Sequence, residues 1–132
     1  MLEAEFKERR RKFWLKNKIY TSVFFIETEP TEKGFPDVLC FDADDKAALY
    51  EVKVTRGKDN VIEFERNQPL WFKKNSRIKN VFILAYDNVT KLVHCFPASA
   101  LFNPLSEYHL PLGSLKKQLP QHKTNYTTDV VD

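Results

Sequence analysis

The segment over residues 34–54, GFPDVLCFDADDKAALYEVKV, restricts the fold of this chain more than any other. Two apolar runs with β-branched or aromatic side chains flank the polar stretch DADDK. This pattern predicts a β-hairpin with strands over 37–41 and 47–54. Charged residues stand inside both predicted strands, where a half-buried hairpin would place apolar or neutral side chains. Their positions therefore need an explanation.

The register of this hairpin decides which charged residues meet. A loop centred on Asp44 makes the numbers of paired residues sum to 88, so that Asp37 opposes Glu51. Because side chains alternate along a strand, Glu51 and Lys53 share one face and Val52 takes the other. We therefore expect two carboxylates and one ammonium group close together on neighbouring strands.

This arrangement suits the hydrolysis of an anionic ester. Directly opposed residues have Cβ atoms about 4.5–5.5 Å apart, and two carboxylates at that distance repel unless a proton or a cation lies between them. A hard divalent ion, Mg²⁺ or Mn²⁺, takes one oxygen from each carboxylate and polarises a phosphoryl group. The ammonium of Lys53 neutralises charge on a phosphate oxygen. The alternative is that Glu51 and Lys53 form only a solvated cross-strand pair.

The rest of the sequence predicts an α/β fold, with a mixed sheet of four to five strands flanked by helices. Pro69 is compatible with the second helix only in its first turn. The predicted helices cover 2–18 and 65–76, and the predicted strands outside the hairpin cover 19–29, 80–87 and part of 88–97. One domain is expected over residues 1–120, followed by a flexible tail over 121–132.

Composition excludes several classes of protein. The 132 residues are 42% hydrophobic and 30% charged, as in soluble globular proteins. No apolar run approaches the roughly 20 residues that cross a bilayer, and the charges that begin at residue 3 do not fit a secretory signal. Cys40 and Cys95 are expected to be reduced thiols, and the three histidines lack the spacing of a zinc site. We expect a cytoplasmic protein without a membrane segment.

The net charge of +3 is concentrated in the first helix. Residues 1–18 carry seven Lys and Arg against three Glu, a net +4, so the rest of the chain is close to neutral. The predicted apolar stripe of this helix consists of Leu2, Phe6, Phe13 and Trp14. A basic helix can face a polyanion such as nucleic acid, although an ordinary solvated helix face has the same composition.

The hairpin resembles the PD-(D/E)XK nuclease superfamily, in which a strand bearing P-D is followed by a strand bearing E-x-K. Here Pro36 and Asp37 supply the first motif, and the segment over 51–53, E-V-K, supplies the second. The segments GFPDVL, YEVKV and ERNQPLWFKK are similar to virus-type replication-repair nucleases, and the chain also resembles recombination protein U and archaeal Holliday-junction resolvases. The likeness covers residues 34 to about 102. It implies a restriction-endonuclease-like core.

The resemblance implies a divalent-metal-dependent nuclease acting on DNA in recombination, repair or phage replication, in a bacterial or phage-infected cytoplasm. Asp37, Glu51 and the carbonyl of Val52 would hold Mg²⁺ or Mn²⁺. Lys53 would position water or stabilise the transition state, and Gln68, which opens the helix after the E-x-K strand, would orient water or a phosphate.

Family members often add a glutamate from the first helix as a further metal ligand. Glu3, Glu5 and Glu8 are the candidates, and we expect Glu5 because it lies next to the predicted apolar stripe. Glu3 and Glu8 are then expected to be solvated partners of nearby arginines.

Several basic side chains flank the predicted site and are candidates for contacts with DNA phosphates: Lys33, Arg56, Lys58, Lys73, Arg9 and Arg10. Trp71 and Phe72 are expected in the core rather than on a base-stacking surface. The resemblance also implies a homodimer on duplex, branched or single-stranded DNA, with RNA as an alternative substrate. A non-catalytic nucleic-acid-binding or regulatory module is the competing function.

Overall fold

A computed structural model describes residues 1–26, 34–65, 67–98, 109–113 and 127–130. The helices are α1 (Glu3–Lys16) and α2 (Asn67–Lys74). The strands are β1 (Ser22–Phe25), β2 (Val38–Phe41), β3 (Ala47–Val54), β4 (Val61–Glu63), β5 (Val81–Tyr86), β6 (Leu92–Pro97), β7 (His109–Pro111) and β8 (Thr127–Val130). No helix in these ranges is long and apolar enough to cross a membrane.

The main sheet has the strand order β1-β2-β3-β5-β6-β8, and β4 and β7 form a separate two-stranded sheet. Strands β3 and β5 are parallel, while the other neighbouring pairs in both sheets are antiparallel. A parallel pair needs a crossover connection, and α2 lies on the connection between β3 and β5. The predicted α/β class with a mixed sheet is confirmed.

The hairpin register agrees with the prediction. Val38 pairs with Tyr50 and Phe41 pairs with Ala47, so the residue numbers sum to 88 along the whole ladder. The register is well determined because β3 is covered on both faces, and a slip by one residue would exchange its two faces.

The sheet separates two hydrophobic cores. On the α1 side, Phe6 and Trp14 pack with residues of the central strands such as Val52. On the α2 side, the core contains Trp71 and Phe72 together with Ile62, Ile83 and Phe96. The expected core role of Trp71 and Phe72 is confirmed, since they are 4% and 1% exposed. Pro69 is the third residue of α2, within its first turn as predicted.

The buried face of α1 differs from the predicted stripe. Phe6, Arg10 and Trp14 are its buried residues, while Leu2 is 76% exposed. These three positions are spaced by four residues and lie on one face of the helix. An arginine therefore occupies the centre of the buried face, and its guanidinium lies 4.6 Å from the ring centroid of Phe13.

Two parts of the sheet depart from the predicted boundaries. Strand β1 begins at Ser22 rather than at residue 19, and residues 27–29 of the predicted strand lie outside the described ranges. Thr127–Val130, within the segment for which we expected a flexible tail, pair with β6 as a sixth strand. The edge of β6 offers unpaired backbone groups, and β-branched residues in this segment suit a strand.

Candidate active site

The predicted residues of β3 and α2 meet on the α2 side of the sheet. Glu51, Lys53 and Gln68 are 3%, 7% and 6% exposed, although all three are polar. Lys53 Nζ donates a hydrogen bond to Gln68 Oε1 at 2.8 Å and lies 3.6 Å from Glu51 Oε2. The same ammonium lies 5.4 Å from the ring centroid of Phe64. The sheet therefore places a carboxyl group and an ammonium group where a core residue would normally pack.

Asp37 reaches this position from the segment directly before β2. Its Oδ1 accepts a hydrogen bond from the backbone N–H of Val52 at 3.1 Å. The hydrogen bond from Asp42 N to Lys46 O shows which ladder positions are hydrogen-bonded pairs. Counting along the strands in steps of two from that pair makes 36 and 52 a hydrogen-bonded position as well, directly beyond the last pair of the ladder, Val38 and Tyr50.

Pro36 explains the local chemistry of that pair. A proline has no N–H, so residue 36 cannot donate to the carbonyl of Val52. The N–H of Val52 is bound instead by the side chain of Asp37. The sequence P-D therefore leaves the carbonyl of Val52 without its usual ladder donor and places the carboxylate of Asp37 next to that carbonyl. The carbonyl and the carboxylate are both ligands that suit a hard cation.

Burial and mutual repulsion control the charges of the two acids. Burial raises the pKa of Glu51 to about 8, with a further increase from Asp37 and an opposing effect of Lys53. Burial also raises the pKa of Asp37, and Lys7 opposes that shift most strongly. Glu51 is therefore largely protonated near neutral pH when no cation is present. Its contact with Lys53 is correspondingly weaker than that of a fully charged pair.

The residues fit a divalent cation. Glu51 Oε1 is buried and has no hydrogen-bond partner in the described structure, so this oxygen is open to a proton or a cation. Across the described ranges, no group of three or more His, Cys, Asp or Glu side chains is close enough to hold a metal. Magnesium is usually bound by only one or two carboxylates together with waters, so Asp37 and Glu51 with the Val52 carbonyl are a sufficient set.

Gln68 is held by the start of α2. Its Oε1 also accepts a hydrogen bond from the backbone N–H of Glu65 at 2.8 Å, and its own backbone N–H donates to the Glu65 carbonyl at 3.0 Å. Gly34 packs against the same turn with a φ of +85°. A Cβ at residue 34 would overlap the backbone carbonyl of Asn67 and lie 3.0 Å from Trp71 Cβ. The segment before Pro36 is thereby locked against the helix that carries Gln68.

On the first helix, Glu3 rather than Glu5 faces the candidate active site. Glu5 is exposed and its Oε1 lies 3.0 Å from Arg9 Nη2. Burial raises the pKa of Glu3, which also responds to the charges of Lys53 and Asp37. Positions two residues apart on a helix differ by about 200° in direction, and Glu3 is four residues before Lys7 and seven before Arg10 on the sheet-facing side. The expectation for Glu5 is therefore corrected to Glu3.

Lys7 is a further charged residue of this region that the sequence analysis did not identify. Its Nζ lies 3.6 Å from Asp37 Oδ2, and both side chains are about four-fifths buried. A signal was available in the sequence, since Lys7 lies one turn after Glu3 on the same helix face. Because the predicted apolar stripe was wrong, the predicted orientation of the helix did not place Lys7 near the site.

The candidate DNA-contacting residues have different surroundings. Arg56, Lys58, Lys73 and Arg9 are exposed. Arg10 is only 5% exposed and stacks on Phe13 and Trp14, so it is not suited to a phosphate contact, and the expectation for this residue is corrected. Lys33 lies outside the described residues.

A cleft of about 220 Å³ opens beside the amine of Lys53, and its charged lining is Glu3, Lys53, Arg56, Glu63 and Glu65. The charged lining is mixed in sign, and Arg56 Nη1 lies 3.9 Å from Glu63 Oε2. A larger cavity of about 350 Å³ is lined by residues from the end of α2 and the start of β5. It contains none of the residues of the candidate active site.

The fold is similar to that of a known endonuclease. The bacterial homing endonuclease I-Ssp6803I aligns with a TM-score of 0.51 and 17% sequence identity, over 89% of this chain and 91% of its own. A nuclease from a fusselovirus aligns with a TM-score of 0.44 and 16% identity, over 87% of this chain and 86% of its own. No protein-family model and no curated protein matches the sequence. The alignment with the homing endonuclease establishes a shared fold.

Proposed function

We propose that this protein is a divalent-metal-dependent nuclease that hydrolyses phosphodiester bonds in DNA. The observation that carries the proposal is the convergence of the partly buried Asp37 with the buried Glu51 and Lys53, together with the oxygen of Glu51 that has no hydrogen-bond partner in the described structure. Such a group of charges is costly to bury and has no evident structural benefit. The shared fold with a homing endonuclease supports the proposal.

Mg²⁺ or Mn²⁺ would be held by Asp37, Glu51 and the carbonyl of Val52, with Glu3 as a further carboxylate nearby. When bound, such an ion polarises the phosphoryl group and lowers the pKa of a coordinated water. Hydrolysis adds the oxygen of water to phosphorus and breaks one P–O ester bond, and the departing oxygen takes up a proton. Asp37 and Glu51 would hold the ion at this largely buried position, and waters would complete its coordination.

Lys53 stabilises the negative charge that grows on the phosphate during this reaction. Its ammonium is oriented by Gln68 Oε1 and by Glu51, so it needs no reorganisation when the charge develops. Gln68 acts as a positioning residue, because its Oε1 accepts from Lys53 and its side-chain amide also hydrogen-bonds the carboxyl group of Glu51. The second N–H of that amide would orient a water or a phosphate oxygen.

DNA is the proposed substrate because the positive charge of the chain is concentrated on the first helix, and the exposed Arg56 lines the cleft beside Lys53. We place the activity in recombination, repair or phage replication, and a homodimer would supply a second site for a second strand. RNA is an alternative substrate with the same backbone chemistry. A regulatory module that binds nucleic acid without cleaving it is the competing function.

Cleavage of plasmid and branched DNA with Mg²⁺ or Mn²⁺ tests the proposal. We expect Asp37→Asn and Lys53→Met to lose about 100-fold or more of the rate. The exposed residues Asp44 and Lys46 provide matched controls, since Asp44→Asn and Lys46→Met make the same chemical changes outside the site.

Two results would count against the enzyme. Cleavage by Asp37→Asn and Lys53→Met at the wild-type rate would show that the buried group is not catalytic. Tight binding of DNA without cleavage under any divalent metal would favour the non-catalytic module.

A further inference from the structure

The position of Lys7 has a consequence for metal binding. Its Nζ lies 3.6 Å from Asp37 Oδ2 and 5.5 Å from the ring centroid of Phe25. Only about a fifth of the side chain is exposed, so the ammonium is held between a carboxylate and an aromatic face. Burial raises the pKa of Asp37, and the positive charge of Lys7 opposes that increase. Lys7 is therefore the ion-pair partner of Asp37 in the metal-free protein.

The two oxygens of Asp37 are occupied in different ways. Oδ1 accepts the backbone N–H of Val52, while the ion pair with Lys7 is made by Oδ2. An incoming divalent cation that uses the second oxygen meets the ammonium at the same atom. Two positive groups cannot share that partly buried oxygen without strong repulsion.

We propose that Lys7 competes with the divalent ion for Asp37 Oδ2 and so lowers the affinity of the site for metal. This inference rests on the metal site of the proposed function. In the metal-free protein, Lys7 partly neutralises the pair of acids. When the ion binds, the flexible stem of Lys7 allows its ammonium to swing away from Asp37, and the affinity is reduced by the free energy of the ion pair that is broken.

Calorimetric titration with Mn²⁺, in the absence of DNA and above about pH 8, tests this competition. We expect Lys7→Gln to bind Mn²⁺ about tenfold more tightly than the wild type, because one repelling charge is removed from a partly buried site. Lys12→Gln removes the same charge from an exposed position of the same helix and should bind like the wild type. Lys7→Arg keeps the positive charge and should also stay close to the wild-type affinity.

Each outcome has a defined meaning. Equal or weaker binding by Lys7→Gln, with measurable binding by the wild type, overturns the competition and leaves the metal site intact. Binding by Lys7→Gln alone supports the competition in its strongest form. Absence of binding in all four proteins overturns the metal site and the competition together. Circular dichroism of each variant verifies that the fold is retained.

Discussion

Glu51 illustrates how a single buried acid couples stability to function. The side chain is 3% exposed, and one of its oxygens has no partner in the described structure. Burial makes the charged form unfavourable, and Asp37 adds to the effect. The free protein resolves the conflict by retaining a proton, and a divalent cation would resolve it by replacing that proton. Binding of a divalent cation at Glu51 should therefore release the proton that this side chain holds in the metal-free protein.

The stability of the metal-free protein should therefore fall as pH rises. The folded state holds the Glu51 proton up to about pH 8, whereas the unfolded chain releases it near 4.5. Between these values the folded state binds more protons, so the free energy of unfolding decreases with pH by up to about 1.4 kcal/mol per unit. The contribution is complete below the lower value and is lost as pH rises through the upper one.

Urea unfolding of the metal-free protein across this interval measures the slope. We expect Glu51→Gln to flatten it, because the amide carries no titrating proton. Glu8→Gln, at a half-exposed acid paired with Arg11, should keep the wild-type slope. A slope unchanged by Glu51→Gln would show that Glu51 is ionised in the folded protein.

The two glutamates at the start of α1 allow a direct comparison. Glu3 faces the charges of Lys53 and Asp37, whereas Glu5 is paired with Arg9 in solvent. We expect Glu3→Gln to weaken Mn²⁺ binding several-fold, since a nearby carboxylate is removed, and Glu5→Gln to leave it unchanged. The affinities are measured by calorimetry. The reverse pattern would restore Glu5 as the helix carboxylate of the site.

At the level of elements, the site is built by the contact between the segment directly before β2 and the start of α2. Gly34 brings the backbone against Asn67, Pro36 ends the ladder beside Val52, and Gln68 reaches Lys53 from the other side. A β-hairpin alone does not require any of these three residues. Together these residues fix the segment before β2 against the start of α2, and the two hold the charged side chains in position.

Substitution of Gly34 should therefore cost more than its backbone conformation alone. Gly34→Ala meets both a positive φ and the carbonyl of Asn67, whereas Gly57→Ala meets a positive φ of +72° in open space. We expect Gly57→Ala to cost about 1–2 kcal/mol and Gly34→Ala clearly more, because α2 must shift. Urea unfolding measures both changes. Equal costs for the two variants would mean that the close approach has no energetic weight.

At the scale of the whole molecule, the central hairpin and the fold class were predictable because their signals are local. Period-two alternation and a single polar turn determine the register, and the apolar run of β5 is typical of a strand covered on both faces. The orientation of α1 was not predictable in the same way. Arg10 is buried and Leu2 is exposed, so hydrophobic periodicity pointed to the wrong face and to Glu5.

Contacts between distant segments were also beyond sequence reasoning. The clash that makes Gly34 necessary depends on Asn67, which lies more than 30 residues along the chain. The pairing of β8 with β6 joins two segments through tertiary structure alone. Asp37 followed from the predicted register, but Pro36 was identified only by resemblance to a motif. The physical reason for the proline, an absent ladder donor, depends on which ladder positions are hydrogen-bonded pairs.

The charge distribution predicts how nucleic acid binding depends on salt. Arg9, Lys12 and Lys16 border a shallow depression of about 180 Å³ with Phe13 on the outer side of α1. Each phosphate contact contributes about −0.9 to the slope of log affinity against log salt. The double variant Lys12→Gln/Lys16→Gln should reduce the steepness by up to about 2, measured by fluorescence anisotropy with duplex DNA. The exposed pair Lys46→Gln/Lys91→Gln makes the same charge change and should have no such effect.

The position of a bound cation tests the account most directly. A crystal soaked in Mn²⁺ above about pH 8, where Glu51 is ionised, gives an anomalous signal that locates the ion. We predict one Mn²⁺ in contact with Asp37, Glu51 and the carbonyl of Val52, with Lys7 displaced from Asp37 Oδ2. If Mn²⁺ ions bind at other positions of the crystal and none contacts Glu51, the proposed metal-dependent active site is contradicted.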